Sequence, residues 1–516
     1  MNSDWEPSQV SRRRVLKGAV GAGVFLILPS GVTSCSTTTP NVPDDADTGQ
    51  SSTDLPQPEL RAATGGVLAT SLECQTAEIQ VGSSSIRTVT YEGAVPGPTL
   101  RLNPGDVLEL RLDNRLEDSG GGMGQGHGNG MMGAVGAATN LHTHGLHVSP
   151  TGNSDNVFLN VAAGESQDYV IEIPEDHWGG LNWYHPHRHG TVSVQVLGGM
   201  AGALIIGGPL DEVQQIKDAR EQMLVLQRIQ TGPPMIARMS AMHDNRFLSL
   251  AGWDTQFTTN GAVNPTLTMQ PGEVQRWRIL NADAIDYFDL ALVDAEGRTI
   301  KDGLKFLARD GITLPRLESR DSQVMVPGNR FEVLVAAPSS TGRFTLTGRA
   351  VPGFGRPDIT FLTVDVSGDP VEMSLPDELP SQLEPIGEAE VTVRKTVKFG
   401  SWTNSMVVNG ESFQEGPNEM DLEIGTVAEW TVQNLSDQDH AFHIHTNPFY
   451  VVAENGKPLD SPGFYDVYPI PPAKGPDTPG SITIRMRPER FRGRIVQHCH
   501  ILPHEDAGMM GVVNLR

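Results

Sequence analysis

Cysteine is nearly absent from this 516-residue chain, at three residues: Cys35, Cys74 and Cys499. Three scattered thiols cannot build a disulfide framework, so the fold must rest on a hydrophobic core. Aromatic residues make up only 6% of the sequence. Basic residues are outnumbered, 38 Lys and Arg against 62 Asp and Glu, for a formal charge of −24. A chain this acidic is a poor binder of nucleic acid, and its charge serves solubility first. No apolar run is long enough for a good membrane span: the stretch from Gly18 to about Pro29 is short and rich in glycine. Glycine (56) and proline (37) are plentiful, which suits a turn-rich, all-β chain of several domains.

The residues that are scarce overall are concentrated near the C-terminus, in His498-Cys499-His500-Ile501-Leu502-Pro503-His504-Glu505-Asp506-Ala507-Gly508-Met509-Met510. The preceding Arg494-Ile495-Val496-Gln497 reads as a strand. Alternate side chains of a strand point to opposite faces, so His498 and His500 share one face and Cys499 takes the other. A thiolate beside imidazole and a thioether is the ligand set of a blue-copper electron-transfer site, while the two imidazoles on the reverse face suit a second metal site. In His440-Ala441-Phe442-His443-Ile444-His445 the same parity groups His443 with His445 and sends His440 to the opposite face. If the two strands are neighbours, His440 joins Cys499, His504 and Met509, and His443 and His445 join His498 and His500. Two further pairs with the same spacing lie upstream, His142-Thr143-His144 and His185-Pro186-His187. Four such pairs supply eight imidazoles for one multi-metal cluster; clustering of this kind points to metal or catalysis.

This constellation resembles the multicopper oxidases, the family of laccases, ferroxidases, bilirubin oxidases and bacterial cuprous oxidases. The resemblance spans nearly the whole chain beyond its leader. Thr143 stands where many members carry Trp, a departure that lies between ligands. The resemblance implies four copper ions. One is held by His440, Cys499 and His504, with Met509 as a weak axial ligand. A second belongs to His142 and His443, a third to His144, His185 and His500, and a fourth to His187, His445 and His498. It also implies cupredoxin domains, and oxidation of a small reductant coupled to reduction of O2 to water. Asp155, in the loop after His144, and Glu505, beside His504, resemble the family's proton donors. His189 matches no ligand and reads as a supporting residue.

The body contains a threefold repeat. Pro104-Gly105-Asp106-Val107, Pro271-Gly272-Glu273-Val274 and Ile424-Gly425-Thr426-Val427 each lead into alternating apolar residues that end at Asn114, Asn281 and Asn434. Alternation entered from a glycine turn marks half-buried strands. We read three β domains over 66–210, 211–367 and 391–516, each a Greek-key sandwich or barrel, with a connector at 368–390. The copper motifs fall in the first and third. Those two must meet to close the cluster, and the second reads as a spacer.

The N-terminus reads as an address. Ser11-Arg12-Arg13-Arg14-Val15-Leu16-Lys17 resembles a twin-arginine export motif, and Val32-Thr33-Ser34-Cys35 resembles a lipobox whose Cys is acylated. Residues 1–34 would be the signal peptide and 35–65 a disordered tether rich in Ser, Thr, Pro and Asp. The expectation is an exported, lipid-anchored enzyme in the periplasm or on the outer face of the cell. Two methionine-bearing stretches bear on substrate. One is a Gly/Met loop over 119–136, with Met123, His127, Met131 and Met132; thioethers select Cu(I), but a plain glycine-rich insertion fits the composition equally. The other, Met235, Met239 and Met242, has the helical spacing of a core stripe. A phenol and Cu(I) both stand as reductants. A copper electron carrier would need only the Cys499 centre, and a copper nitrite reductase is not arranged with four His pairs.

Overall fold

The computed structural model describes residues 54–117, 137–231, 255–352, 356–401, 406–413 and 418–516. The export motif, Cys35, the Gly/Met loop and the Met235–Met242 stripe lie outside the described residues. The fold is all-β, with a few short helices. Among the described residues, six open sheets form three consecutive pairs, with strands between residues 60 and 206, 220 and 366, and 393 and 515. None closes into a barrel, so of the two forms expected from sequence the chain adopts open, paired sheets.

The repeated segments occupy equivalent places. Strands Val107–Asn114, Val274–Asn281 and Ala428–Asn434 each pair in parallel with an earlier strand, Val67–Val81, Arg220–Gln230 and Val393–Phe399 respectively. Each is flanked on its other side by an antiparallel strand. Gly105, Gly272 and Gly425 all have positive φ, between +77° and +89°, a conformation glycine adopts without a Cβ penalty. The repeated asparagine has a physical role that periodicity does not disclose. In each copy its side-chain oxygen accepts the N–H two residues on, from Leu116 (3.0 Å), Asp283 (3.0 Å) and Ser436 (2.9 Å). Its amide then donates to buried carbonyls, such as Ala137 (2.7 Å), Asp286 (3.1 Å) and Gln438 (2.7 Å). The side chain substitutes for the ladder where the strand turns away.

Two expectations are corrected here. Residues 54–65 are not a loose tether: Leu60–Ala62 pairs in parallel with Thr99–Leu102 at a sheet edge, and Asp54 bridges Thr266. Backbone pairing, to which composition is blind, orders this segment. Val274–Asn281 is also not half-buried, since all eight of its residues are buried. Its outward Arg276 and Arg278 are covered and ion-paired to Glu332, at 2.5 and 2.7 Å. Glu332 in turn accepts the Leu181 N–H of the first sheet pair (2.8 Å). The core of the third pair reaches beyond its own strands to Val192, Val196, Ala284, Ile285, Tyr287 and Val326.

Asn434→Ala should be the informative core variant. It removes the acceptor for Ser436 and the donor to Gln438 in a site with no exposure. Leaving such groups unsatisfied costs about 2–4 kcal/mol in total. The expected outcome is a lower denaturation midpoint; an unchanged midpoint would show that the turn before His440 holds without this side chain.

Candidate metal centres

Four strands carry the motifs: β1 (His142–His144), β2 (Gly180–His185), β3 (His440–Ile444) and β4 (Gly493–Cys499). β1 and β2 are antiparallel, with His142 opposite His185. β3 and β4 are antiparallel, with His443 opposite His498 and Phe442 opposite Cys499. The register puts like faces together: His443 and His498 on one side, His440, Phe442 and Cys499 on the other, with Phe442 and Cys499 in the third core.

On the core side Cys499 Sγ lies 3.6 Å from His440 Nδ1 and 3.5 Å from His504 Nδ1, and the two nitrogens are 3.1 Å apart. The short helix α1 (Leu502–Asp506) begins with Pro503 at its first turn and carries His504 back over the strand end. Met509 is fully buried in the same cluster, its carbonyl accepting the Cys499 N–H (3.1 Å) and its own N–H donating to His504 (2.9 Å). His440 is oriented by a 2.8 Å hydrogen bond between Nε2 and Ser436 Oγ, which leaves Nδ1 as the lone-pair nitrogen. Burial pushes the Cys499 thiol up to about 12 and the His504 imidazole down to about 3. The imidazoles are therefore neutral, and only a bound cation would convert so buried a thiol to thiolate.

On the other side the structure brings all eight predicted imidazoles together, each 2% exposed or less. His187, His445 and His498 converge through Nε2 at 3.1, 3.1 and 3.4 Å. His142 stacks on His445 (3.9 Å between centroids) and His144 on His443 (4.0 Å). Desolvation holds all eight below their ordinary pKa, His187 and His498 at about 4. Among the described residues, the buried nitrogens with no hydrogen-bond partner include Nε2 of His142, His185, His443 and His500 and Nδ1 of His144. Buried polar atoms are almost always paired. Here opposite nitrogens are anchored: His443 Nδ1 on the Asp466 carbonyl (2.7 Å), His185 Nδ1 on that of Pro186 (2.8 Å), and His142 Nδ1 on Asp155 Oδ1 (3.0 Å). Neutral rings with one nitrogen fixed and the other bare fit soft and borderline cations such as copper; His500 departs from the pattern, with both nitrogens bare. Ligand atoms of His187, His445 and His498 lie within 4.8 Å of one another, as do those of His440, Cys499 and His504. His500 joins no such triad; its ring stands 4.9 Å from that of His144.

Neither proton-donor candidate is a solvated surface acid. Asp155 is 3% exposed and Glu505 not at all, and burial pushes each up to about 7. Glu505 stands 3.1 Å from His498 Nδ1 and 3.5 Å from His187 Nδ1. His189 packs its ring 4.8 Å from Phe413, lining a cavity of about 410 Å3 that also reaches His187, Asn160 and Met510. Sequence reasoning missed three residues. Asp506 accepts the N–H groups of Gly190 (2.7 Å) and Ser193 (2.8 Å), tying the third sheet pair to the first. Asp466 contacts His144, and Arg330 grips Asp466. None belongs to a spaced motif, although Asp506 follows Glu505 directly.

Multicopper oxidase family models match residues 131–211 and 383–516. The multicopper oxidase mco of Staphylococcus haemolyticus is 24% identical over 449 residues, covering 83% of this chain and 84% of its own. A laccase of Haloferax volcanii is 24% identical, covering 98% of this chain and 90% of its own. Among solved structures, a Campylobacter jejuni multicopper oxidase described as a metallo-oxidase superposes with a TM-score of 0.69 at 24% identity, covering 90% of this chain and 98% of its own. McoA of Aquifex aeolicus reaches 0.73 at 20% identity, covering 90% and 100%.

Cys499→Ser should remove the intense blue absorption of the copper-loaded protein while copper remains at the eight-histidine side. Metal analysis beside the visible spectrum checks this. Loss of copper from both sides together would mean that the two faces do not load independently.

Proposed function

We propose, for a chain that belongs to the multicopper oxidase family and reduces O2 with electrons from a reducing substrate, that four copper ions are held in the partition the family resemblance implies. The observation that carries this is the set of buried, partnerless imidazole nitrogens facing one another across the first and third sheet pairs. Copper supplies one-electron acceptance at the Cys499 side and oxygen reduction at the other. The domain boundaries expected from sequence, 66–210, 211–367 and 391–516, are proposed with it.

The chain's own residues do the following. Cys499 lies between His498 and His500, so strand parity makes its backbone the short connection between the two sides. His440 and His504 hold their Nδ1 atoms toward Cys499 Sγ. Reduction of O2 to two waters consumes four electrons and four protons. Glu505 holds a proton at its carboxyl oxygens beside His187 and His498, and Asp155 does so beside His142; a pKa near 7 suits each to proton transfer around neutrality. The eight imidazoles are each 2% exposed or less, and the cavity beside His189 reaches them at His187.

The reductant reads as a metal ion, Cu(I) first. His504 is buried and its Nε2 is covered, so a reductant of either class passes its electron through the cover, and the metal ion is supported by the Campylobacter jejuni structure described as a metallo-oxidase. A phenol is the second reading, favoured by the relatives named laccase. Oxygen uptake with Cu(I), Fe(II), Mn(II) and a phenol in parallel decides between them. Faster turnover of the phenol than of every ion would overturn the metal-ion reading. We also propose export through Arg12-Arg13 and acylation at Cys35, which would make this a lipid-anchored enzyme outside the cytoplasm.

Glu505→Gln should retain its copper and be reduced by donor at an unchanged rate, yet reduce O2 about 100-fold more slowly, within the usual range for a positioned acid. Unaltered oxygen uptake and an unaltered pH profile would remove Glu505 from proton delivery. Replacing both Arg12 and Arg13 by Lys should leave precursor in the cytoplasm; a mature N-terminus well beyond residue 35 that carries no lipid would remove the anchor.

A further inference from the structure

The middle sheet pair carries no copper motif, but its side chains reach the cluster. Arg330, in the strand Arg330–Ala336, is fully buried, and its whole donor fork is satisfied. Nε donates to the Leu181 carbonyl at 3.1 Å, and Nη1 to the Gly328 carbonyl at 3.2 Å. Nη1 and Nη2 form a bidentate pair with Asp466 at 2.6 and 2.7 Å, and Nη2 also reaches Asn182 Oδ1 at 3.3 Å. One guanidinium thus joins all three sheet pairs, because Leu181 and Asn182 lie in β2 and Asp466 directly precedes the strand Val467–Ile470 beside β3.

Asp466 faces the cluster with two different atoms. Its Oδ1 lies 3.2 Å from His144 Nε2, and its backbone carbonyl accepts from His443 Nδ1 at 2.7 Å. The nitrogens those contacts leave free, His144 Nδ1 and His443 Nε2, are among the partnerless ones. A second anchor from the middle pair holds the Asp466 backbone: Asp310 Oδ2 accepts its N–H at 3.2 Å. The residue after His144 is shaped to admit the guanidinium. A Cβ on Gly145 would stand 2.2 Å from Arg330 Nη2, and the φ of +96° disfavours any other residue. Gly328, two residues before Arg330, backs onto His500, where a Cβ would come within 3.0 Å of the ring.

We propose that Arg330 is a positioning residue of the eight-imidazole centre, acting through Asp466 on His144 and His443, and that the middle domain is a wall of that centre. This corrects the expectation that it is a spacer. The inference rests on the reading that those imidazoles hold copper. A planar bidentate fork fixes both the carboxylate plane and its charge, which an ammonium cannot do. Partners of metal-bound imidazoles of this kind commonly change metal affinity by about 10- to 100-fold when lost.

The test uses the full-length, copper-loaded enzyme with Arg330→Lys, Arg330→Met and Asp466→Asn. It reads copper per chain, the visible band, the electron paramagnetic resonance of the type 2 copper (the lone ion that the family resemblance assigns to His142 and His443), and thermal stability. The expected result for Arg330→Lys is full copper and an unchanged blue band, with altered type 2 hyperfine splitting. For Arg330→Met, copper at the histidine side should be bound about 10-fold or more weakly while the Cys499 centre keeps its band. Asp466→Asn should reproduce the spectral change with a side chain of the same shape, and keeps the proposal testable if Arg330→Met fails to fold. Lower thermal stability with an unaltered type 2 signal in both Arg330→Lys and Asp466→Asn would overturn the positioning role and leave Arg330 a structural clamp. A wild type with copper only at Cys499 would overturn the underlying reading instead.

Discussion

Strand parity at one antiparallel register is the constraint on which this molecule depends. His443 opposite His498 and Phe442 opposite Cys499 put imidazoles on one face of β3 and β4 and the thiol on the other. A slip by one residue would exchange the faces. The thiol would enter a nest of imidazoles and the histidines a hydrophobic core. The third core holds that register, since Phe442, Cys499, Ile495 and Val513 are packed together and fully or almost fully buried. Packing that stabilises the third sheet pair therefore also separates the Cys499 site from the eight-imidazole site by a single covalent step.

Collecting eight neutral imidazoles in a dry interface is unfavourable for the protein alone, because each bare nitrogen has given up water without gaining a partner. The surrounding structure offsets this by anchoring the opposite nitrogens and by closing the first and third sheet pairs around the site. Asp506 makes part of that closure by accepting N–H groups of the Gly190–Ser193 turn, one residue beyond Glu505. The acid that would deliver protons thus sits beside the residue that clamps the two domains, and its position depends on how tightly the interface is shut.

The sequence disclosed what is periodic or local. The two-residue spacing of the histidines and the glycine-to-asparagine repeat were legible because strand geometry converts spacing directly into face and position. Parity also gave which side chains of β3 and β4 would share a face if the two were neighbours; their pairing and register came only from the structure. Asp466 and Arg330 were not legible. They come from 322 and 186 residues away in sequence, Asp466 at a bend between two strands and Arg330 at the start of a strand buried along nearly its whole length, and neither belongs to a spaced motif. The pairing of Leu60–Ala62 was hidden for a related reason, since a sheet edge recruits backbone and is indifferent to a Ser/Pro-rich neighbourhood. Val274–Asn281 is buried on both faces because Arg276 and Arg278 pair with Glu332 on the adjacent strand, and Glu332 meets the first sheet pair at the Leu181 N–H; a single strand's alternation cannot report this.

The middle domain shows how a three-part chain with its chemistry in the outer parts still gives the central part a say. A spacer would need only a surface of the right size. This one instead presents buried arginines in a row, Arg276, Arg278 and Arg330, each paired with a carboxylate and each near the first sheet pair. Buried ion pairs give little net stability compared with apolar packing of the same volume, but they tolerate little displacement, since a separated partner is left charged and dry. Of the three, Arg330–Asp466 crosses to the third sheet pair, and that contact is selective for one relative position. At its end, Arg330 hands that position to Asp466, whose side-chain oxygen meets one imidazole and whose backbone meets another. The placement of the three sheet pairs and the aim of two bare imidazole nitrogens, His144 Nδ1 and His443 Nε2, are then coupled through a single guanidinium.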